Sequence, residues 1–163
     1  MPLWTHSDGT CEDDDTTAAL TADIIAFYTD RVGLPAFYVN VVFILMAGNN
    51  SLWISGKKAI KEKPSVRIVI EHIAVHAQNE DVAYRRTANG IDRVLKPHVA
   101  DKGYDWEFHV DETERRLWKV QGLHAPPFKS EAEKVWTKLN KAVPWKGKLQ
   151  SCMQRNNALV LYI

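Results

Sequence analysis

The second residue of the chain is a proline, whose main-chain nitrogen is a free secondary amine once Met1 is removed. Removal of the initiator methionine is usual before a residue as small as proline. An α-amino group has a pKa of about 8, and burial in an apolar site lowers that pKa because it disfavours the cation. An amine that titrates close to the working pH is a good proton shuttle. Many proteins carry a proline at this position that has no function in catalysis. The predicted elements around Pro2 are therefore needed to judge whether it has one here.

Two similar β-α-β patterns follow along the chain. In the first, a short strand over 2–6 leads to a helix over about 16–31, a strand over 37–46 and a short partner strand over 51–55. The run over 37–46 is nearly all apolar, which predicts a strand buried on both faces. Gly33 ends the helix. The apolar stripe of this helix consists of Leu20, Ile24, Tyr28 and Val32.

The second pattern repeats this order after a basic loop over 57–63. A mostly apolar strand over 66–75 precedes a helix that begins at about 79–81 and ends at Gly103, and a strand over 104–110 follows. The helix residues expected to face the core are Val82, Ile91, Leu95 and Val99. The two halves are similar in pattern and not in residue identity, which indicates a weak internal repeat.

These elements predict an α/β (α+β) fold in a single domain, 1–163. Tandem units at about 2–55 and 64–112 form a four-stranded sheet with two helices on one face, because β-α-β crossovers are right-handed. The strands look apolar on both sides, so the other face needs a cover, and self-association is the simplest one. A C-terminal extension over about 120–163 adds a third helix, which begins with a capping box at 130–133. Its apolar stripe consists of Ala132, Trp136, Leu139 and Val143.

Composition and motifs exclude several function classes. A net charge of +1 over 163 residues gives no strong field toward nucleic acid or a membrane surface. No apolar run reaches membrane-spanning length and no signal peptide is visible, which predicts a cytoplasmic protein. No Gly-rich phosphate loop or nucleophile elbow is present. His72 and His76 have the spacing of a zinc helix motif, but they lie in a predicted strand without the required glutamate, so we expect no metal and no cofactor.

Six segments together carry a family resemblance: 2–4 (PLW), 32–39 (VGLPAFYV), 69–74 (VIEHIA), 96–107 (KPHVADKGYDWE), 111–113 (DET) and 130–133 (SEAE). In these segments the chain resembles the cis-3-chloroacrylic acid dehalogenase-like group of the tautomerase superfamily, its fungal-type members in particular. The resemblance covers roughly 2–136. It implies two β-α-β units per chain and a homotrimer whose sheets line a central barrel, which would cover the bare sheet face.

The resemblance also implies which residues to compare. In the dehalogenase, a proline works with a histidine, two arginines that hold the substrate carboxylate, and a tyrosine and a glutamate that position and activate water. The corresponding positions here are Tyr28 for the histidine, Val75 and Gln78 for the arginines, Phe108 for the tyrosine and about Lys119 for the glutamate. Loss of a bidentate arginine clamp is not a conservative change. We therefore expect poor or no dehalogenation of cis-3-chloroacrylate.

Other side chains are candidates to bind a small carboxylate substrate. Arg115 and Arg116 follow the last predicted strand of the sheet and form either a substitute carboxylate site or a solvated charge pair. His76 and Gln78 lie at or near the positions of the missing arginines. The hydroxyl of Tyr28 either replaces the histidine as a hydrogen-bond donor or simply completes the helix core.

Two functions of different classes fit this sequence. In the first, a tautomerase-like isomerase uses Pro2 to move a proton at a carbon α to a carbonyl in small 2-oxo, enol or unsaturated carboxylic acids, such as phenylenolpyruvate, with weak hydratase or dehalogenase action as a related activity. In the second, a catalytically degenerate trimer of the same fold serves as a binding or assembly protein. The position of Pro2 favours the first, and the loss of the dehalogenase's partner residues favours the second.

Overall fold

A computed structural model describes residues 3–7, 14–44, 53–54, 56–58 and 64–146, without the side chains of 3–7, 54 and 58. Its helices and strands are β1 (Leu3–Ser7), α1 (Asp14–Ala26), β2 (Asn40–Phe43), β3 (Trp53–Ile54), β4 (Lys57–Lys58), β5 (Ser65–His72), α2 (Asp81–Leu95), β6 (Asp105–Glu112), β7 (Lys119–Val120), β8 (Leu123–His124) and α3 (Glu131–Leu139). A π-helical turn, Phe27–Val32, follows α1, and short 3-10 turns cover Ala36–Tyr38 and Arg115–Leu117.

The central sheet has four strands in the order β2-β1-β5-β6. β1 is parallel to β2, and β5 is parallel to β6, with α1 and α2 as the respective crossovers. The two β-α-β units meet where β1 pairs antiparallel with β5, so that Trp4 lies opposite Ile70. The second unit starts at Ser65, directly after Pro64, as the first starts at Leu3. The predicted tandem arrangement is confirmed.

One face of the sheet carries the core. In β5, Val66, Ile68 and Ile70 are almost fully buried and alternate with more exposed residues, as a strand with one covered face requires. The paired positions in β6 point the same way, and both crossover helices contribute buried side chains to the same cluster. The buried residues that α1, the π-helical turn after it and α2 contribute to this cluster are Leu20, Ile24, Tyr28, Ile91 and Leu95.

The opposite face differs from the prediction that the strands are apolar on both sides. Arg67 and Glu107 pair across β5 and β6, with 3.3 Å between Nε and Oε1. Glu71 and Asp111 stand opposite each other on the same face, and Val42 on β2 is 43% exposed. The apolar residues at inward-facing positions account for the apolar character of these strands in the sequence.

Strand lengths account for two further corrections. β2 ends at Phe43 among the described residues and alternates in exposure, so the fully buried strand over 37–46 is not observed there. Within the described residues, the expected partner strand is represented by Trp53–Ile54, which pairs with Lys57–Lys58 of the predicted basic loop. Gly56, at φ +76°, supplies the left-handed backbone that closes so short a hairpin.

The helix residues predicted to face the core are buried, except for residues at the helix ends. In α2, Ile91 and Leu95 are fully buried, whereas Val82 is 67% exposed. Nine residues separate Val82 from Ile91, which is about two and a half helical turns and therefore opposite faces. In α3, Trp136 is fully buried but Leu139, the last helical residue, is 47% exposed. No helix among the described residues is long and apolar enough to cross a membrane.

Candidate active site

A buried hydrogen bond joins the π-helical turn that follows α1 to the end of β5. Tyr28 Oη lies 2.7 Å from His72 Nε2, and the two rings meet edge to face. Tyr28 is 1% exposed and His72 is 4% exposed. This polar pair is therefore enclosed by protein at one end of the sheet.

The local backbone explains how Tyr28 reaches this position. After α1 the chain continues for one wide π-helical turn, and Gly33 at φ +84° then closes the segment. Gly33 N–H donates to the Thr29 carbonyl and Leu34 N–H donates to the Tyr28 carbonyl, which satisfies the last helical carbonyls. A non-glycine residue would be strained in this left-handed conformation.

His72 is the last residue of β5, and its surroundings keep it neutral. Burial, together with nearby positive charge that includes His76, lowers the pKa of His72 to about 4. A neutral imidazole has one donor and one acceptor nitrogen, and a tyrosine hydroxyl can both donate and accept. The bond between Tyr28 and His72 can therefore run in either direction without placing a charge in the core.

The loop after β5 is tied to the end of β6. His76 Nε2 lies 2.7 Å from the Thr113 carbonyl oxygen, which accepts when that ring nitrogen carries the proton. Ala77 N–H donates to Glu112 Oε1 at 2.7 Å. Gln78 is exposed, and its carbonyl accepts from the Glu80 amide. His76 and Gln78 thus lie in a loop that begins at the buried histidine.

Arg115 forms a buried anchor rather than a solvated charge pair. Its Nη2 lies 2.9 Å from Glu133 Oε1, and the guanidinium also donates to the carbonyls of Ala74 and Pro126. The side chain of Arg115 is 16% exposed and that of Glu133 is 2% exposed. Through Ala74, this ion pair fastens α3 to the loop that follows β5.

Arg116 behaves differently from its neighbour. Its Nη2 lies 2.9 Å from Glu114 Oε2, and both side chains are well exposed. Hydrogen bonds from Arg116 hold the pKa of the Glu114 carboxyl at about 2. Of the two alternatives that the sequence left open for these arginines, a substitute carboxylate site and a solvated charge pair, the second describes Arg116 and not Arg115.

A second buried tyrosine lies beside the Arg115–Glu133 pair. Tyr38 is 1% exposed, packs edge-on against Trp118, and has a hydroxyl with no hydrogen-bond partner among the described residues. Burial, followed by the negative charge of Glu133, raises its pKa well above the usual range. Tyr38 is therefore an un-ionised core residue.

An open groove of about 500 Å³ runs between α2 and the outer edge of β6. Its lining includes Ala77, Tyr84, Phe108 and Glu112. The groove therefore starts at the loop that follows β5 and passes Phe108. No group of three or more His, Cys, Asp or Glu within the described ranges is arranged to hold a metal ion.

The structure brings some of the sequence candidates together and leaves others apart. Tyr28 lies at the end of β5, and His76 lies four residues beyond that end. Arg115 reaches the same loop but is engaged there, while Gln78 and Arg116 are at the surface. Pro2 lies outside the described residues.

His72 is the residue that sequence reasoning missed as a site candidate. The spacing of His72 and His76 suggested only a zinc motif, which the sequence does not support because the required helix and glutamate are missing. The available signal was a histidine at the end of an apolar, buried strand, where a polar side chain needs a partner. Its partner, Tyr28, is 44 residues away along the chain, and no local pattern connects them.

The chain matches, over residues 1–141, the family described as "Putative oxalocrotonate tautomerase enzyme". The protein belongs to this tautomerase family. No curated protein sequence matches the chain. The two tandem β-α-β units with their antiparallel junction are thus the tautomerase fold, as the sequence resemblance implied.

Solved structures of other proteins agree with this membership. Native RhCC from Rhodococcus jostii RHA1 is 34% identical, with a TM-score of 0.81, over 88% of this tautomerase-family chain and 100% of RhCC. A probable enzyme from the thermophilic fungus Aspergillus fumigatus is 34% identical, with a TM-score of 0.78, over 89% of this chain and 98% of its own. N1, a member of the cis-3-chloroacrylic acid dehalogenase family, shares the fold at 14% identity, with a TM-score of 0.63 and coverage of 94% and 97%.

Proposed function

We propose that this tautomerase-family protein uses the amine of Pro2 as a general base and acid in the tautomerisation of small 2-oxo and enol carboxylic acids. The observation that carries the proposal is the buried Tyr28–His72 pair at the end of β5. Because β1 runs antiparallel to β5, the beginning of β1 lies at that same end. Pro2 is bonded covalently to Leu3, the first residue of β1.

The proposed reaction needs few groups. The Pro2 amine removes the proton from the enol oxygen and delivers a proton to the α carbon while the C=C π bond becomes the C=O π bond, so that hydrogen is the only atom transferred. A hydroxyl donor at the substrate oxygen would stabilise the enolate. Tyr28 is the candidate that combines a hydroxyl with a position at the correct end of the sheet.

We propose His76, Gln78, Arg115 and Arg116 as candidates to bind the substrate carboxylate, with unequal support. His76 and Gln78 lie in the loop that leaves the site, which supports a role for them. Arg115 already holds Glu133 and two carbonyls, which supports an architectural role for it. Arg116 is well exposed and paired with Glu114.

We further propose that the protein assembles as a homotrimer in the cytoplasm. The support for assembly is the sheet face opposite the helices, where Val42 and the Arg67–Glu107 pair are exposed. A face that mixes valines with paired charges suits contact with another copy of the same chain. The trimer and the cytoplasmic location are both proposals independent of catalysis.

A second candidate function is a catalytically degenerate tautomerase-fold protein that binds or assembles without turnover. It is favoured by the engagement of Arg115 in a buried ion pair, which removes that candidate for a carboxylate clamp. The two candidates are separable because only the enzyme needs a free amine at Pro2.

The test begins with the mass of the purified protein, since retention of Met1 would block the Pro2 nitrogen and end the enzyme proposal. If Met1 is absent, the conversion of phenylenolpyruvate to its keto form is compared for wild type and Pro2→Ala. We expect a loss of at least about a hundredfold, in the range that a general base contributes. Equal rates for the two proteins would leave the binding function.

A further inference from the structure

We propose that the outer side of α2 is a docking surface for an acidic helical segment of a partner protein. We call this surface the arginine face, and it comprises Val82, Arg85, Arg86, Asn89 and Arg93. The inference goes beyond the proposed function, because the arginine face lies on the side of α2 that points away from the sheet.

The helix period brings these side chains to one side of α2. Ile91 and Leu95 are fully buried against the core, and they define the inner side of the helix. Arg86 and Arg93 are exposed and stand two turns apart, so they lie in line along the outer side. Val82 begins this line one turn before Arg86 and is 67% exposed. The arginine face is therefore a continuous strip of about three turns.

An open groove of about 640 Å³ follows this strip. Its lining consists of Val82, Arg85, Arg86, Asn89, Asp92 and Arg93. Three guanidinium groups against one carboxylate give the groove a positive charge. Its open form suits contact with the side of another helix and not the enclosure of a small molecule.

The arginines of this strip are available to a partner. Arg85 and Arg86 form no ion pair within the described part of the chain, although Asp92 lies on the same helix. The positions three and four residues from Arg86, on either side, hold no carboxylate, so the helix itself cannot neutralise this charge. Arg93 Nε donates to the Asn89 carbonyl at 3.1 Å, and the Nη atoms of Arg93 remain as donors for a carboxylate.

Other exposed cations on the described surface differ from these arginines in having acidic partners. The pairs are Arg67–Glu107, Lys96–Asp101, Arg116–Glu114 and Lys134–Glu131. A cluster of exposed cations without carboxylates at pairing distance is the complement of an acidic surface.

The spacing of the arginines indicates the form of the partner. A guanidinium binds a carboxylate through two parallel hydrogen bonds. Arg85 and Arg86 lie about 10–12 Å along the helix axis from Arg93, and a second helix presents carboxylates at this interval when they are about two turns apart. An extended segment binds through unpaired main-chain groups, which the outer side of a helix does not offer. Val82 adds an apolar contact at one end of the strip.

Other occupants fit the arginine face less well. A two-fold contact with a second copy of this chain would oppose arginines to arginines. The proposed trimer uses the other face of the sheet and leaves the arginine face accessible. Three arginines with Asp92 beside them neutralise few phosphates of a nucleic acid. Val82 is the single apolar side chain of the strip, which is too little for insertion into a membrane surface.

The test uses two labelled alanine-based helical peptides of identical composition. In the matched peptide the glutamates lie about two turns apart along one side, and in the control peptide they are distributed around the helix. Fluorescence anisotropy with the full-length protein measures both affinities at low salt and at about 150 mM NaCl. We expect the matched peptide to bind at least about fivefold more tightly, through two or more exposed ion pairs. Amide shifts in ¹⁵N NMR spectra should change along 82–93.

Paired variants locate the binding on the protein. Arg85→Gln combined with Arg86→Gln should weaken binding of the matched peptide about tenfold. Lys134→Gln combined with Lys138→Gln is the matched control, because it removes the same charge from an exposed part of another helix, α3. We expect the control to bind the matched peptide almost as wild type does, with unchanged circular dichroism in both variants.

Each contrary outcome overturns the proposal. Equal affinities of the two peptides, or equal losses in the α2 and α3 variants, would show that binding follows net charge alone. Tighter binding of single-stranded RNA, or of vesicles that contain anionic lipid, would assign the arginine face to another class of partner. Amide shifts away from 82–93 would place the peptide elsewhere. None of these measurements depends on Pro2 or on substrate turnover, so they do not decide the proposed enzymatic function.

Discussion

The carboxylate of Glu133 and the guanidinium of Arg115 lie 2.9 Å apart, and the carboxylate is almost inaccessible to solvent. Glu133 Oε2 also accepts from the Lys129 amide at 2.6 Å, and Ser130 Oγ accepts from the Glu133 amide. Residues 130–133 therefore form a helix cap in which the Glu133 carboxylate also accepts a hydrogen bond from the amide of Lys129, a residue before the helix. Through Arg115, this arrangement ties α3 to Ala74 in the loop that follows β5.

Removal of the Arg115 guanidinium should destabilise the protein strongly. In Arg115→Met, Glu133 stays buried without its counter-ion, which typically costs about 3–5 kcal/mol. Urea unfolding of the variant measures this loss. Arg116→Met is the matched control, because its exposed pair with Glu114 should leave the midpoint close to that of wild type. Similar midpoints for both variants would contradict the anchor role of Arg115.

The stability of the protein should depend on pH through His72. Its pKa is about 6.5 in the unfolded chain and about 4 in the folded protein, so below pH 6.5 the unfolded state binds the additional proton. Stability from this group is fully present above pH 6.5 and declines toward pH 4, by roughly 3 kcal/mol in total. Unfolding free energies measured between pH 7.5 and 4 should show the decline in wild type.

The matched variants assign that pH dependence. His72→Gln should flatten the acid decline, because glutamine does not titrate in this range. His109→Gln should retain it, since His109 is exposed on β6 beside Asp111. An acid decline that is unchanged in His72→Gln would show that another group is responsible.

Halide release from cis-3-chloroacrylate should be absent or very slow. Val75 and Gln78 occupy the positions that the family resemblance assigns to two arginines, and Phe108 occupies that of the water-positioning tyrosine. An apolar side chain and an amide cannot form the charged clamp that holds a carboxylate. Ion-selective detection of chloride measures the rate, and robust release by the purified protein would contradict the prediction.

Substitutions of Gly33 should destabilise the protein to different degrees. Its φ of +84° is unfavourable for residues with a Cβ, although among the described residues, Gly33 and its two chain neighbours aside, no atom lies within 4 Å of the place where that Cβ would be. Gly33→Ala should therefore cost about 1 kcal/mol through backbone strain alone, and Gly33→Asn less, because asparagine tolerates the left-handed region. Thermal unfolding of the two variants tests the order, and equal losses would point to a packing effect instead.

The mass of the assembly tests the trimer. We expect light scattering to give about three times the chain mass of 18.6 kDa. Val42→Asp should lower that mass, because it places a charge on the exposed sheet face. Val82→Asp is the control on the exposed side of α2. A wild-type mass equal to one chain would contradict the proposal.

Much of the fold could be predicted because it depends on short-range signals. The apolar stripe from Leu20 to Val32, the stop at Gly33 and the cap at Ser130 each follow from spacing within a few residues, and the structure confirms them, with Val32 only partly buried. The position of Val82 was wrong for an equally local reason, since the helix period places it opposite Ile91. The β3–β4 hairpin was missed because two charged lysines, Lys57 and Lys58, resemble a loop.

The site was harder to predict because its contacts are distant along the chain. Arg115 could be placed near the site from its position after the last strand, but its partners Ala74 and Glu133 lie 41 and 18 residues away. Tyr28, the partner of His72, could not be predicted for the same reason, because it lies 44 residues away along the chain. Residue type and spacing identify candidates, whereas the pairing of buried polar groups depends on how helices and strands pack.

The junction between the two units has a consequence for symmetry. β1 follows Pro2 and β5 follows Pro64, so each half of the sheet begins after a proline. The nitrogen of Pro64 is sealed in a peptide bond, however, and its carbonyl is occupied by the Asp105 amide. The two β-α-β units therefore differ in what their leading prolines can do: under the proposed function, with Met1 removed, Pro2 would carry a titratable amine, whereas the nitrogen of Pro64 does not titrate.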